Sequence, residues 1–125
     1  MALTPEGRLY EVDMRLRPSG NAGPIAVQIE SFARYQREAA WTWEQMAMTR
    51  ARPIFGAAAL IARVHASLRE SLIRPREPAR LAADVVDMRQ RIAASHPTED
   101  PWNLKHVRGG LLDLEFLAQY LLLAG

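Results

Sequence analysis

Gly109-Gly110-Leu111-Leu112-Asp113-Leu114-Glu115-Phe116-Leu117-Ala118-Gln119-Tyr120-Leu121-Leu122-Leu123 is the stretch whose reading decides the fold. It reads as a helix entered through paired glycines and apolar nearly all round. A helix of that kind is expected at the buried centre of a bundle. Yet it carries Asp113, Glu115 and Gln119. Glu115 and Gln119 fall on one helical face, and Asp113 points elsewhere. Buried carboxylates are costly unless paired. The partners on offer are arginines or Lys105, with Arg50 and Arg52 the first choices for Glu115.

Upstream, Leu81, Val85, Met88 and Ile92 recur at spacings of four, three and four, a helix seam closed by Ser95-His96-Pro97. Asp87 and Arg91 can pair on its outer side at i,i+4. Pro75 and Pro78 bracket the loop before it. Leu60, Ile61, Val64, Leu68 and Leu72 mark an earlier amphipathic helix. A stripe through Phe32, Tyr35 and Ala39 breaks near Ala40 and resumes through Trp43, Met46, Ala47 and Arg50, stopped by Pro53 and Gly56. The aromatic residues Phe32, Tyr35, Trp41 and Trp43 are expected in the core.

The N-terminal part has a different period. Tyr10, Val12, Met14 and Leu16 alternate with Glu11, Asp13, Arg15 and Arg17, the pattern of a half-buried strand with a charged face. Pro18-Ser19-Gly20-Asn21-Ala22-Gly23-Pro24 is a turn, and Ile25, Val27 and Ile29 suit a short second strand. The fold class is therefore mainly α: a bundle of four to five helices over residues 29–125, preceded by a strand or β-hairpin within residues 1–28. A lone hairpin has marginal stability. Either it packs on the helices or its sheet lies in residues outside these 125.

Composition excludes several function classes. With 125 residues, 49% of them apolar, the chain is expected to fold around one core. Without cysteine there is no disulfide and no Cys-ligated zinc or iron–sulfur site. The net charge of +2 is too small to argue for nucleic acid. No apolar run reaches membrane length, and the N-terminus lacks a signal core, so a cytoplasmic location is expected. Neither GxGxxG nor a P-loop occurs near Gly20 and Gly23. His65, His96 and His106 are scattered, without metal-ligand spacing.

Two residue sets can carry chemistry. Asp13, Arg15 and Arg17 stand on one strand face: a carboxylate suited to Mg²⁺ and guanidinium groups suited to phosphate. The same pattern also suits an exposed strand with cross-strand ion pairs. Glu44, Arg50, Arg52, Lys105, Asp113 and Glu115 form the second set, either a network that fixes helix packing or one that positions a nucleotide or an adjoining catalytic sheet.

Tyr10-Glu11-Val12-Asp13-Met14-Arg15-Leu16-Arg17-Pro18-Ser19-Gly20 resembles the third catalytic segment of the glutamine synthetase adenylyltransferases. The likeness continues through Ala40-Trp41-Thr42-Trp43-Glu44, Arg50-Ala51-Arg52, Val86-Asp87-Met88-Arg89, Leu104-Lys105 and Gly109 to Leu121. The Ser19 form and the Trp41-Trp43 string resemble the adenylylating, C-terminal half of these bifunctional enzymes. The family often has Ser or Thr near Gln28 to cap the next helix. The resemblance implies a polymerase-β-like nucleotidyltransferase domain ending within residues 1–28, with the helical bundle beside it. It implies transfer of AMP from ATP to a tyrosine of glutamine synthetase, with Mg²⁺ held by three aspartates. Asp13 matches the third. Arg15 and Arg17 would meet phosphate, or pair with Glu11.

The GSxxDxD segment that supplies the first two aspartates is absent. The chain is thus expected to be a fragment, inactive alone and binding no cofactor. Glutamine synthetase and the PII signal protein would be partners of the parent enzyme. Two other readings are a non-catalytic helical interaction module and a fragment of a PII uridylyltransferase.

Overall fold

A computed structural model describes Gly7 and residues 13–125. Five helices follow one another: α1 (Ile29–Glu38), α2 (Thr42–Met48), α3 (Ala58–Leu72), α4 (Pro78–Ser95) and α5 (Leu111–Ala124). Most breaks fall where the punctuation put them, but α2 ends at Met48, leaving Arg50 outside it and stopping short of Pro53 and Gly56. Pro78 is the first residue of α4, where a missing N–H costs nothing, and the Glu77 carboxylate caps the helix by accepting the Ala79 and Arg80 N–H groups. Gln28 precedes α1 with extended backbone and no side-chain cap bond. At the start of α5, Gly109 has φ 78°, and a Cβ on Gly110 would lie 2.4 Å from the Leu104 carbonyl oxygen. Only the Gly-Gly pair lets the 104–107 loop close over α5, where the Leu111 N–H donates to that same carbonyl at 2.8 Å.

The strand and hairpin expectation changes. Residues 8–12 lie outside the described residues. From Asp13 on there is no strand among the described residues: coil, a bend and a 3-10 turn at Gly20–Ala22 lead to α1. Ile29, read as the end of a second strand, is the first residue of α1, and Ile25 and Val27 are exposed. Among the described residues no strand lies beside Ile25, Val27 and Ile29 to make their alternation a sheet face, and from Arg15 to Gly23 local hydrogen bonds take up the backbone.

The centre of the bundle is α2, not α5. Helix α2 contacts α3, α4 and α5, while α1 packs on α3 and α4 on α5. Met46 of α2 is 1% exposed and lies in a cluster with Leu81, Phe116 and Leu123, with Leu72, Val85, Met88 and Ile92 packed around it. The α4 seam therefore faces the core as its spacing required. The expected burial of the tryptophans fails: Trp41 is 71% exposed and Trp43 is exposed as well. Seven-residue α2 turns Glu44, Met46 and Met48 inward, and the indoles flanking Thr42 are left outside. Helix α5 buries Phe116, Gln119 and Leu123, but five of its leucines are 54–65% exposed.

Candidate functional site

The first candidate set lies in the segment that enters the bundle. Asp13 and Arg15 form a closed local pair. Both Asp13 oxygens accept from the Arg15 guanidinium, the closest contact being 2.6 Å, and Asp13 Oδ1 also accepts the Arg15 backbone N–H at 2.9 Å. These hydrogen bonds bring the Asp13 carboxyl down to about 2 and raise the Arg15 guanidinium. Both side chains are mostly exposed, so the pair orders the loop more than it stabilises the fold. Arg17 turns the other way. Its guanidinium donates to the carbonyls of Met14 and, at 3.3 Å, Gly23. Asp13, Arg15 and Arg17 thus do not share one strand face. Arg17 braces the turn, Ser19 sits at φ 62°, and a Cβ on Gly23 would collide with the Pro18 carbonyl oxygen at 2.1 Å.

The second set separates into three places. Glu44 is 4% exposed, and no arginine is among its hydrogen-bond partners in the described residues. Its carboxylate accepts the Tyr35 hydroxyl at 2.9 and 3.0 Å and the Trp41 N–H at 2.9 Å. That joins the α1–α2 corner. Burial, then Glu44, raises the Tyr35 hydroxyl pKa; the Ser19 backbone opposes the shift. Arg50, just beyond α2, reaches Glu115 of α5 at 2.5 Å, and Gln119 Nε2 donates to the same carboxylate at 3.1 Å. Glu115 is partly buried, with its side chain 32% exposed, and Arg50 is the partner named first from the sequence.

Asp113 pairs with Arg89 of α4 and accepts the Gly109 N–H at 2.6 Å. Arg89 also donates to the His106 carbonyl at 3.2 Å. The Arg89 contact lowers the Asp113 pKa most, helped by the Gly109 N–H. Arg52 and Lys105 are exposed and form no ion pair among the described residues. They are not part of a common network.

Sequence reasoning missed Arg89 and Tyr35 as polar anchors. Arg89 follows Met88 on the α4 seam and sits four residues after Val85, so its flank faces α5. That spacing was the available signal. It also missed the stacking of His96 on His106, with ring centroids 4.7 Å apart and planes within 3°. Burial, then the His96, Lys105 and Arg89 charges, pushes the His106 pKa down.

Among the described residues no three His, Cys, Asp or Glu side chains come together to hold a metal. Asp13 alone, already engaged by Arg15, does not make a Mg²⁺ site, which needs several oxygen ligands. No helix among the described residues is long and apolar enough to cross a membrane.

Residues 1–67 match the family described as glutamate-ammonia ligase adenylyltransferase. The chain is 57% identical over 124 residues to a bifunctional glutamine synthetase adenylyltransferase/adenylyl-removing enzyme of Brucella suis biovar 1. It is 56% identical over 123 residues to the enzyme of that name from Xanthobacter autotrophicus, and 53% over 118 to that of Bradyrhizobium sp. strain BTAi1. These matches cover 99%, 98% and 94% of this chain and 13%, 12% and 12% of the respective relatives. The chain thus spans about an eighth of the length of the curated relatives it matches.

Proposed function

The chain belongs to the glutamate-ammonia ligase adenylyltransferase family, and from that premise we propose that it is a section of an enzyme that transfers AMP from ATP to a tyrosine of glutamine synthetase. Residues 1–28 are the edge of the nucleotidyltransferase domain, and residues 29–125 are the helical bundle beside it. The observation that carries this reading is the 57% identity running over 99% of the chain. The match is continuous across both the Asp13–Gly20 segment and the bundle, so it is not a shared helix pattern. It favours this reading over a non-catalytic helical interaction module or a fragment of a PII uridylyltransferase.

The Ser19 and Trp41-Trp43 strings favour the adenylylating half. Asp13 supplies one carboxylate of the parent's metal centre, and Arg15 and Arg17 supply positive charge toward phosphate. Mg²⁺, when bound by the complete set of carboxylates, would stabilise charge on the transferring phosphoryl group. The described residues lack that set, so no chemical step is assigned to this chain alone. Within it, Arg15 holds the Asp13 carboxylate ionised and oriented, and Arg17 holds the loop's shape. Glu44, Arg50, Asp113 and Glu115 tie the helices of the bundle to one another, and Arg52 and Lys105 stay open at the surface. A cytoplasmic setting, with a PII-type signal protein as a further partner, belongs to the same proposal.

The test uses ATP, Mg²⁺ and glutamine synthetase, with AMP incorporation as the readout. The 125-residue chain should give none. The full-length enzyme carrying this sequence should transfer AMP, and Asp13→Asn should lower its rate at least ~100-fold. Transfer by the isolated chain, or an unaffected Asp13→Asn enzyme, would defeat the reading.

A further inference from the structure

The turn that follows Asp13 holds a strained residue. Pro18 and Ser19 are its central residues, and the Gly20 N–H closes it by donating to the Arg17 carbonyl at 2.8 Å. Ser19 has φ 62° and ψ 17°, the only left-handed backbone of a non-glycine among the described residues. Such a position usually falls to Gly or Asn. A serine stays there only when its surroundings hold it, and strain of this kind gathers at functional segments.

The Ser19 N–H takes no part in closing the turn. It donates instead to the hydroxyl oxygen of Tyr35, in α1. That hydroxyl passes the contact inward by donating to the two Glu44 oxygens at 2.9 and 3.0 Å. A phenolic hydroxyl can donate and accept at once, so Tyr35 joins two partners where a phenylalanine would join none. Glu44 is fixed in its turn. It is buried in the first turn of α2 and accepts the Trp41 N–H at 2.9 Å. A line of hydrogen bonds thus runs from the central helix, through Tyr35, to the backbone of Ser19.

Local bonds carry the line back to Asp13. The Arg17 guanidinium holds the Met14 and Gly23 carbonyls, and the Arg17 N–H donates to the Arg15 carbonyl at 2.9 Å. The Arg15 N–H donates to Asp13 Oδ1 at 2.9 Å. Whatever fixes Ser19 therefore also fixes where the Asp13 carboxylate stands.

We propose that Tyr35 is a positioning residue for Asp13: its hydroxyl, held by Glu44, seats the Ser19 turn on the corner between α1 and α2. The role rests on the reading of Asp13 as a carboxylate of the parent enzyme's active centre. Every contact in the line is made inside this chain. It does not depend on what the rest of the parent lays over the bundle.

Two measurements test it, both on Tyr35→Phe. The first is hydrogen exchange of the Ser19 amide by nitrogen-15 NMR in the 125-residue chain. Losing the acceptor should speed that exchange up to about 10-fold. The second is AMP transfer to glutamine synthetase by the full-length enzyme, assayed at a temperature where the variant is fully folded. Its kcat should fall about 10-fold, the effect of a misplaced group, with the KM for ATP unchanged. Leu123→Val, a mild truncation of a buried α5 leucine, controls for lost stability alone. It should leave both the Ser19 exchange and kcat as they are. Unchanged Ser19 exchange in Tyr35→Phe overturns the proposal, as does an equal fall of kcat in Leu123→Val. A native kcat in Tyr35→Phe beside a disabled Asp13→Asn enzyme overturns the positioning role and leaves the reading of Asp13 standing. A harmless Asp13→Asn defeats both.

Discussion

Replacing Asp113 by alanine should be a damaging change, because it strips the partner from a largely buried arginine. Asp113 is in the first turn of α5, three residues after Gly110, where a carboxylate favours the helix dipole. One oxygen holds Arg89 and the other accepts the Gly109 N–H. The Arg89 and Asp113 side chains are 18% and 27% exposed, so the pair is largely removed from water. Arg89 Nη1 is buried without a partner among the described residues, so the guanidinium has little to fall back on. A hydrogen bond to a charged group contributes about 1.5–3 kcal/mol. Breaking a fully buried pair costs about 3–5 kcal/mol because a bare charge remains. Partial exposure places Asp113→Ala between these, at about 2–3 kcal/mol.

Urea titration followed by circular dichroism measures that difference, and the thermal midpoint should fall by roughly 10 °C. Adding Arg89→Met should recover part of the loss, since removing both charges leaves neither unpaired. The pH dependence has a fixed sign. The folded Asp113 pKa is depressed, so its contribution is fully present above the unfolded value, about 3.9. It is lost as pH falls through the lower folded value. The gap between the native chain and Asp113→Asn should therefore narrow below about pH 4. A loss under ~0.5 kcal/mol, the scatter of ordinary surface substitutions, would refute the argument, as would a gap that persists undiminished in acid.

Glu115→Ala should cost only about 0.5–1 kcal/mol by the same titration, because its partner Arg50 is 67% exposed. Tyr35→Phe leaves the buried Glu44 carboxylate with the Trp41 N–H alone among its described donors, and should cost about 1–3 kcal/mol with no change in helix content. The depressed His106 pKa means stability present above about pH 6.5 and lost as pH falls through the folded value. Thermal midpoints between pH 7 and 5 should decline, and His106→Gln should flatten that slope.

The local punctuation was legible. Pro78, the Ala40 break, Ser95-His96-Pro97 and Gly109-Gly110 all bound the observed helices, because each acts through its own backbone or its nearest neighbours. The Asp87–Arg91 pair, at 2.8 Å, is also one helical turn's affair. The pairing of Asp113 was not legible in the same way. Its carboxylate chooses among arginines from five residues away, at Arg108, outward, and only the approach of α4 to α5 brings Arg89, 24 residues back, into contact. Glu44 shows the same limit from the other side. A search for arginine partners overlooked Tyr35, nine residues back, whose hydroxyl is a neutral donor delivered by the turn between α1 and α2.

The misplacement of α5 and that of the tryptophans are one error. The apolarity of a side chain or of a helix does not say how many neighbours surround it. Seven-residue α2 is only about 10 Å long. Three longer helices can close around so short a segment, and Met46 fills the centre. Once α2 holds the middle, Trp41 and Trp43 flank its first turn and face outward. Helix α5 then has α2 and α4 on one side and no helix on the other among the described residues. Its composition is that of a helix enclosed on all sides, and its position is that of an edge. The mismatch between the two falls on the outer face of α5, between Leu111 and Leu122.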